Sequence, residues 1–74
     1  MQLYDFEVVL DGSVVAIERA VALPDGRAAW SEIVRLARLH DEPGSRIRVK
    51  DESGGIVILT GVASALRVAR ELAA

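Results

Sequence analysis

No cysteine occurs in the 74 residues, which excludes disulfides and thiolate metal sites together. Aromatics are almost as scarce: Tyr4, Phe6 and Trp30 are the only three, so Val, Ala and Leu must do most of the packing. Histidine occurs once, at His40, which leaves no pair of imidazoles for a metal. No stretch approaches the roughly 20 apolar residues of a membrane span. No basic segment followed by an apolar one opens the chain, so no secretory leader is expected. An excess of one charge is lacking too: the net charge is −2. Bulk electrostatics therefore favour neither nucleic acid nor an anionic membrane. Eight of the nine basic residues are Arg, with Lys50 the exception, which reads first as codon usage and only weakly as phosphate recognition. These absences predict a single domain over residues 1–74, cytoplasmic and not membrane-bound.

Apolar residues are plentiful at 51%. A chain this short buries a modest share of its surface, and small folds without covalent or metal staples often gain stability by oligomerising. A homo-oligomer or a protein partner is the expected association.

The residues alternate where strands are expected. Tyr4, Phe6, Val8 and Leu10 interleave with Asp5, Glu7 and Val9, the period of a half-buried strand. Asp11-Gly12 follows as a hairpin turn. A second strand is predicted over Val14 to Val21, although Val14-Val15-Ala16-Ile17 shows no clean period. Leu23-Pro24-Asp25 then opens a helix, with Asp25 as cap and Leu23 folded back toward Trp30. Ala29, Trp30, Ile33, Val34, Leu36, Ala37 and His40 share its broad apolar face. Asp41-Glu42-Pro43-Gly44 stops it. A third strand spans Arg46 to Asp51, a turn covers Glu52-Ser53-Gly54-Gly55, and Ile56 to Thr60 forms a nearly continuous apolar strand. A short helix from about Ala63 to Ala73 ends the sequence, with Val62, Leu66, Ala69 and Leu72 on one stripe.

Arg46-Ile47-Arg48-Val49-Lys50 alternates base and apolar residue. On a strand this buries Ile47 and Val49 and sets Arg46, Arg48 and Lys50 in a row on the other face. Asp5 and Glu7 form a matching acidic row. Opposite charges pair across neighbouring strands, so the first and third strands are expected side by side. The predicted fold is α+β in the order ββαββα. Its four-stranded antiparallel sheet runs 2-1-3-4, with one main helix packed on one face and a short C-terminal helix.

Tyr4-Asp5-Phe6, Asp11-Gly12, Leu23-Pro24-Asp25, Ala28-Ala29, Glu32 and Arg46 through Gly54 together resemble a family of short proteins of rhizobia and related alphaproteobacteria, a domain of unknown function. The likeness covers about residues 4 to 60 and rests mostly on turn and cap signals. Ala20 stands where that family often has Gly, and the Pro usual after the last strand is missing, with Gly61 near its place. The resemblance implies a compact ββαββ domain and carries no activity with it.

Candidate chemistry is thin. His40 lies at a helix end beside Asp41 and Glu42, which is not metal-ligand spacing. None of Ser13, Ser31, Ser45, Ser53 and Ser64 sits in a nucleophile-elbow setting. Ser53-Gly54-Gly55 precedes a strand and lacks the phosphate-loop pattern. No catalytic residue, cofactor, metal or small-molecule ligand is expected. The sequence reads as a non-enzymatic interaction or accessory protein that self-associates, with Val62, Leu66, Ala69 and Leu72 as the candidate oligomer interface and the second strand as an apolar edge. The alternative is a weak nucleic-acid-binding module using Arg46, Arg48 and Lys50. Against it, Tyr4 and Phe6 are predicted to point into the core, away from any stacking role.

Overall fold

The structure is a computed structural model that describes residues 1–73. Strand β1 (Gln2–Leu10) runs into β2 (Ser13–Leu23). After a 3-10 turn at Gly26–Ala28 come helix α1 (Ala29–Leu39), strands β3 (Arg46–Lys50) and β4 (Ile56–Gly61), and helix α2 (Val62–Ala73). The sheet order is β2-β1-β3-β4 with all neighbours antiparallel, as the charge rows predict.

Local chemistry accounts for the joints. Asp11 and Gly12 take φ of 52° and 78°, the paired positive values that a two-residue hairpin needs. The Asp25 carboxylate accepts from the backbone N–H groups of Arg27 and Ala28 at 3.0 and 3.1 Å, capping the 3-10 turn that leads into α1. Between β3 and β4, the Asp51 carboxylate accepts from the Ser53 hydroxyl and from the backbone N–H of Ser53 and Gly55. These bonds, the Ser53 hydroxyl foremost, hold its carboxyl below the ordinary aspartate value.

The core lies on one side of the sheet. Tyr4, Phe6 and Val8 from β1 and Ile47 and Val49 from β3 meet Ala29, Ile33, Leu36 and Ala37 of α1 and Val62 and Ala65 of α2. Burial of each larger aliphatic or aromatic side chain stabilises the fold by about 1.5–3 kcal/mol. An ion-pair cluster ties α1 to the rim: Arg35 bonds both Glu32 and Glu18 of β2. Hydrogen bonds to Glu32 and then to Glu18 push the Arg35 guanidinium above its usual value.

Two expectations change. Trp30 is 40% exposed, not part of the core stripe. It sits about 100° round the helix from Ala29, and the stripe of Ala29, Ile33, Leu36 and Ala37 turns it to the flank. Strand β2 is longer than Val14 to Val21 and breaks register twice, once between the pairs Val8–Ala16 and Val9–Val14, and once between Tyr4–Val21 and Phe6–Glu18. The extra residue at Val15 is why Val14 to Ile17 lack a period.

Candidate interaction face

Both helices cover the same side, so the other face of the sheet has no covering element among the described residues. Alternation from Tyr4, Phe6 and Val8 places Leu3, Asp5, Glu7 and Val9 of β1 there. Pairing extends the assignment. Glu7 stands opposite Ile17 on β2 and Arg48 on β3, and Arg48 stands opposite Leu59 on β4. Asp5 stands opposite Lys50, and Lys50 opposite Ile56. Val9 stands opposite Val14 and Arg46.

Glu7 is the centre of this face. Its carboxylate accepts from Arg48 Nε at 2.6 Å, and Lys50 Nζ lies 3.3 Å away. Only 9% of Glu7 remains exposed, although no helix lies over it. Burial pushes its carboxyl up, yet the hydrogen bonds and charges of Arg48 and Lys50 outweigh that effect, and Glu7 titrates below the ordinary glutamate value. It is held as an ionised salt-bridge partner and not as a proton donor.

The basic row is thus brought together as predicted, but two of its cations are engaged. Arg48 and Lys50 bond Glu7, while Arg46 makes no ion pair among the described residues. Asp5 does not join the network; its carboxylate accepts from the Ala20 backbone N–H. Tyr4 and Phe6 are buried on the opposite face.

Apolar side chains surround the charged centre. Leu3, Val14, Ile17, Ile56 and Leu59 are all exposed, Leu59 at 58%. Sequence reasoning missed Leu3, Ile56 and Leu59 as a site and offered Val14 and Ile17 only as part of an apolar strand edge. The signal was present in Ile56-Val57-Ile58-Leu59, whose two faces are both apolar where one solvated face calls for polar alternation.

The stripe on α2 does not form one surface. Val62 is 2% exposed and belongs to the core, Leu66 packs against that core, and Ala69 is half-buried. Leu72 alone stands out, at 83%. The β2 edge is interrupted by its two register shifts, which blunt it for strand pairing.

Elsewhere a shallow cleft of about 380 Å³ lies between the Asp41–Arg46 segment and the start of α2. Its lining sets Asp41 and Glu42 against Arg46 and Arg70, with no net charge. His40 ends α1, its backbone N–H bonded to the Leu36 carbonyl. Among the described residues no group of three His, Cys, Asp or Glu side chains could hold a metal ion, and no helix is long and apolar enough to cross a membrane.

No family model, curated protein or solved structure matches the chain.

Proposed function

We propose that this chain is a small non-enzymatic interaction module whose working surface is the open face of the sheet. The observation that carries this reading is the set of exposed Leu3, Val14, Ile17, Ile56 and Leu59 around an ion-paired Glu7–Arg48–Lys50 centre. Several exposed large apolar side chains on an uncovered sheet face, flanking a charged centre, favour a docking site. Glu7 already pairs with Arg48 and Lys50, so covering that centre costs less desolvation than three isolated ions would, and Arg46, which makes no ion pair among the described residues, stands at one end of β3. The same proposal keeps the cytoplasm as the expected compartment, carried over from the sequence reading.

The nucleic-acid alternative draws on Arg46, Arg48 and Lys50 on the same face. It has less support, because Glu7 engages two of the three and the aromatics lie on the other side.

A photoreactive residue placed at Leu59, and separately at Leu72, tests the reading in cells of the native host. Protein crosslinks from position 59 are the expected result. Crosslinks from position 72 alone would move the interface to α2, and nuclease-sensitive adducts at 59 would favour the nucleic-acid alternative.

A further inference from the structure

At the height of Glu7 the open face presents Ile17, Glu7, Arg48 and Leu59 in order across the four strands. The row reads apolar, acid, base, apolar. One step along, Asp5 and Lys50 repeat the acid–base pair, with Ile56 outside it on β4. Such rows are self-complementary about one particular two-fold axis. The axis runs parallel to the strands, midway between β1 and β3, in the plane between two facing sheets. Rotation about it carries β1 of one copy over β3 of the other and β2 over β4, without moving any residue along the strand direction. Glu7 then faces Arg48 of the second copy, Asp5 faces Lys50, and Ile17 faces Leu59.

We propose that the occupant of the open face is a second copy of this chain, packed sheet to sheet about this axis. The inference rests on the reading of that face as the working surface and names its partner. The other two-fold axis lying in the interface plane, perpendicular to the strands, stacks β1 on β1 and β3 on β3. That arrangement sets Asp5 and Glu7 against their own copies and Arg46, Arg48 and Lys50 against theirs, so like-charge repulsion selects the first axis. Aligned packing of two twisted sheets about 10 Å apart accommodates it.

The area is of the order a pairing needs. The strands Gln2–Leu10, Ser13–Leu23, Arg46–Lys50 and Ile56–Gly61, at about 3.4 Å per residue and about 4.8 Å between strands, cover about 500 Å² in plan. That is smaller than the roughly 800 Å² per partner of a standard stable interface and fits a pairing that depends on concentration. The electrostatics also suit it. Glu7 is already largely removed from water within its own chain, so the further desolvation falls on Arg48 and Lys50, which gain a second carboxylate each.

The absence of native cysteine makes the arrangement directly readable. Ile17→Cys and Leu59→Cys are prepared as separate variants, checked for native circular dichroism, mixed and treated with a short thiol-specific bifunctional crosslinker, because facing backbones about 10 Å apart lie beyond the reach of a direct disulfide. Between copies the proposed axis sets 17 over 59, while 17 and 17, or 59 and 59, stand a further three strand spacings, about 14 Å, apart sideways. The expected result is a mixed 17–59 crosslink that dominates both self-crosslinks. With it, sedimentation equilibrium of the unmodified chain should give twice its 8.0 kDa mass. A dimer without the mixed crosslink, or one in which 59–59 prevails, overturns this packing. A monomer at every reachable concentration overturns the second copy as occupant. In that case photocrosslinks from Leu59 to a different protein leave the open-face reading standing, and their absence removes it as well.

Discussion

The backbone N–H of Ala20 donates to the Asp5 carboxylate at 2.8 Å while Ala20 holds a φ of 56°. The pair marks a bulge, where Arg19 and Ala20 together stand opposite Asp5 between the Tyr4–Val21 and Phe6–Glu18 pairs. A left-handed residue in a bulge is where glycine is ordinarily found, because a Cβ crowds the following carbonyl at a cost of about 1–2 kcal/mol. Ala20→Gly is therefore expected to stabilise the fold by about 1 kcal/mol, the gain offset in part by the freer unfolded chain. The readout is a higher urea midpoint at unchanged slope. A lower midpoint would show that the freer unfolded chain outweighs the relief of strain at position 20.

Glu7 carries the second prediction. Glu7→Gln leaves Arg48 and Lys50 facing a neutral amide in a half-buried site, at an expected cost of about 1–3 kcal/mol near neutral pH. The folded-state value of Glu7 is depressed. Its stabilisation is thus present in full above the unfolded glutamate value and fades as pH falls through the folded one. The difference between the native chain and Glu7→Gln should accordingly shrink in acid. Urea titrations at a series of pH values check this. Some acid sensitivity persists in the variant, because Glu32 and Asp51 are depressed in the same sense. A pH-independent difference would assign the loss to packing alone.

These two carboxylates show how much of the molecule was legible beforehand. Asp5 and Glu7 on β1 and Arg46, Arg48 and Lys50 on β3 alternate cleanly, and that alternation was enough to place the two strands side by side and derive the 2-1-3-4 order. What followed Asp5 was not legible, since a bulge is decided by the backbone of β2 and its inserted residues blur the period from Val14 onward. The stripe on α2 was visible as apolar spacing, but spacing reports that a face is covered and not by what. Val62 turned out to be covered by its own core. The open-face set is built from Leu3, Ile17 and Leu59, far apart in sequence, and only the register brings them to one face.

Ser45 offers a third test. It is 3% exposed, and its hydroxyl has no hydrogen-bond partner in the structure, while its carbonyl accepts from the Val62 N–H. A buried hydroxyl without a partner costs roughly 1–3 kcal/mol in desolvation. Ser45→Ala removes the hydroxyl and keeps the backbone bond that anchors the start of α2, so thermal and urea midpoints are expected to rise. A fall by a similar amount would reveal a hydrogen bond that the hydroxyl makes in solution.

Trp30 and Phe6 separate the core from its flank. Phe6 is 1% exposed beneath both layers, whereas Trp30 is 40% exposed beside Val34 on the flank of α1. Truncation of a buried aromatic removes its transfer energy and leaves a cavity, so Phe6→Ala is expected to cost about 3–5 kcal/mol, enough to unfold a domain of this size. Trp30→Ala leaves no enclosed cavity and should cost well under half of that. Because Trp30 is the only tryptophan, its fluorescence in the native chain reports its surroundings directly. Emission should lie toward the red and be quenched readily by acrylamide. Blue-shifted, protected emission would mean that Trp30 is covered in solution by a second molecule. The Leu59→Asp variant then decides where that molecule sits. If Trp30 becomes accessible in it, the cover depends on the open sheet face. If Trp30 stays protected, the cover lies on the helical side, and the flank of α1 with Leu72 becomes an interface in its own right.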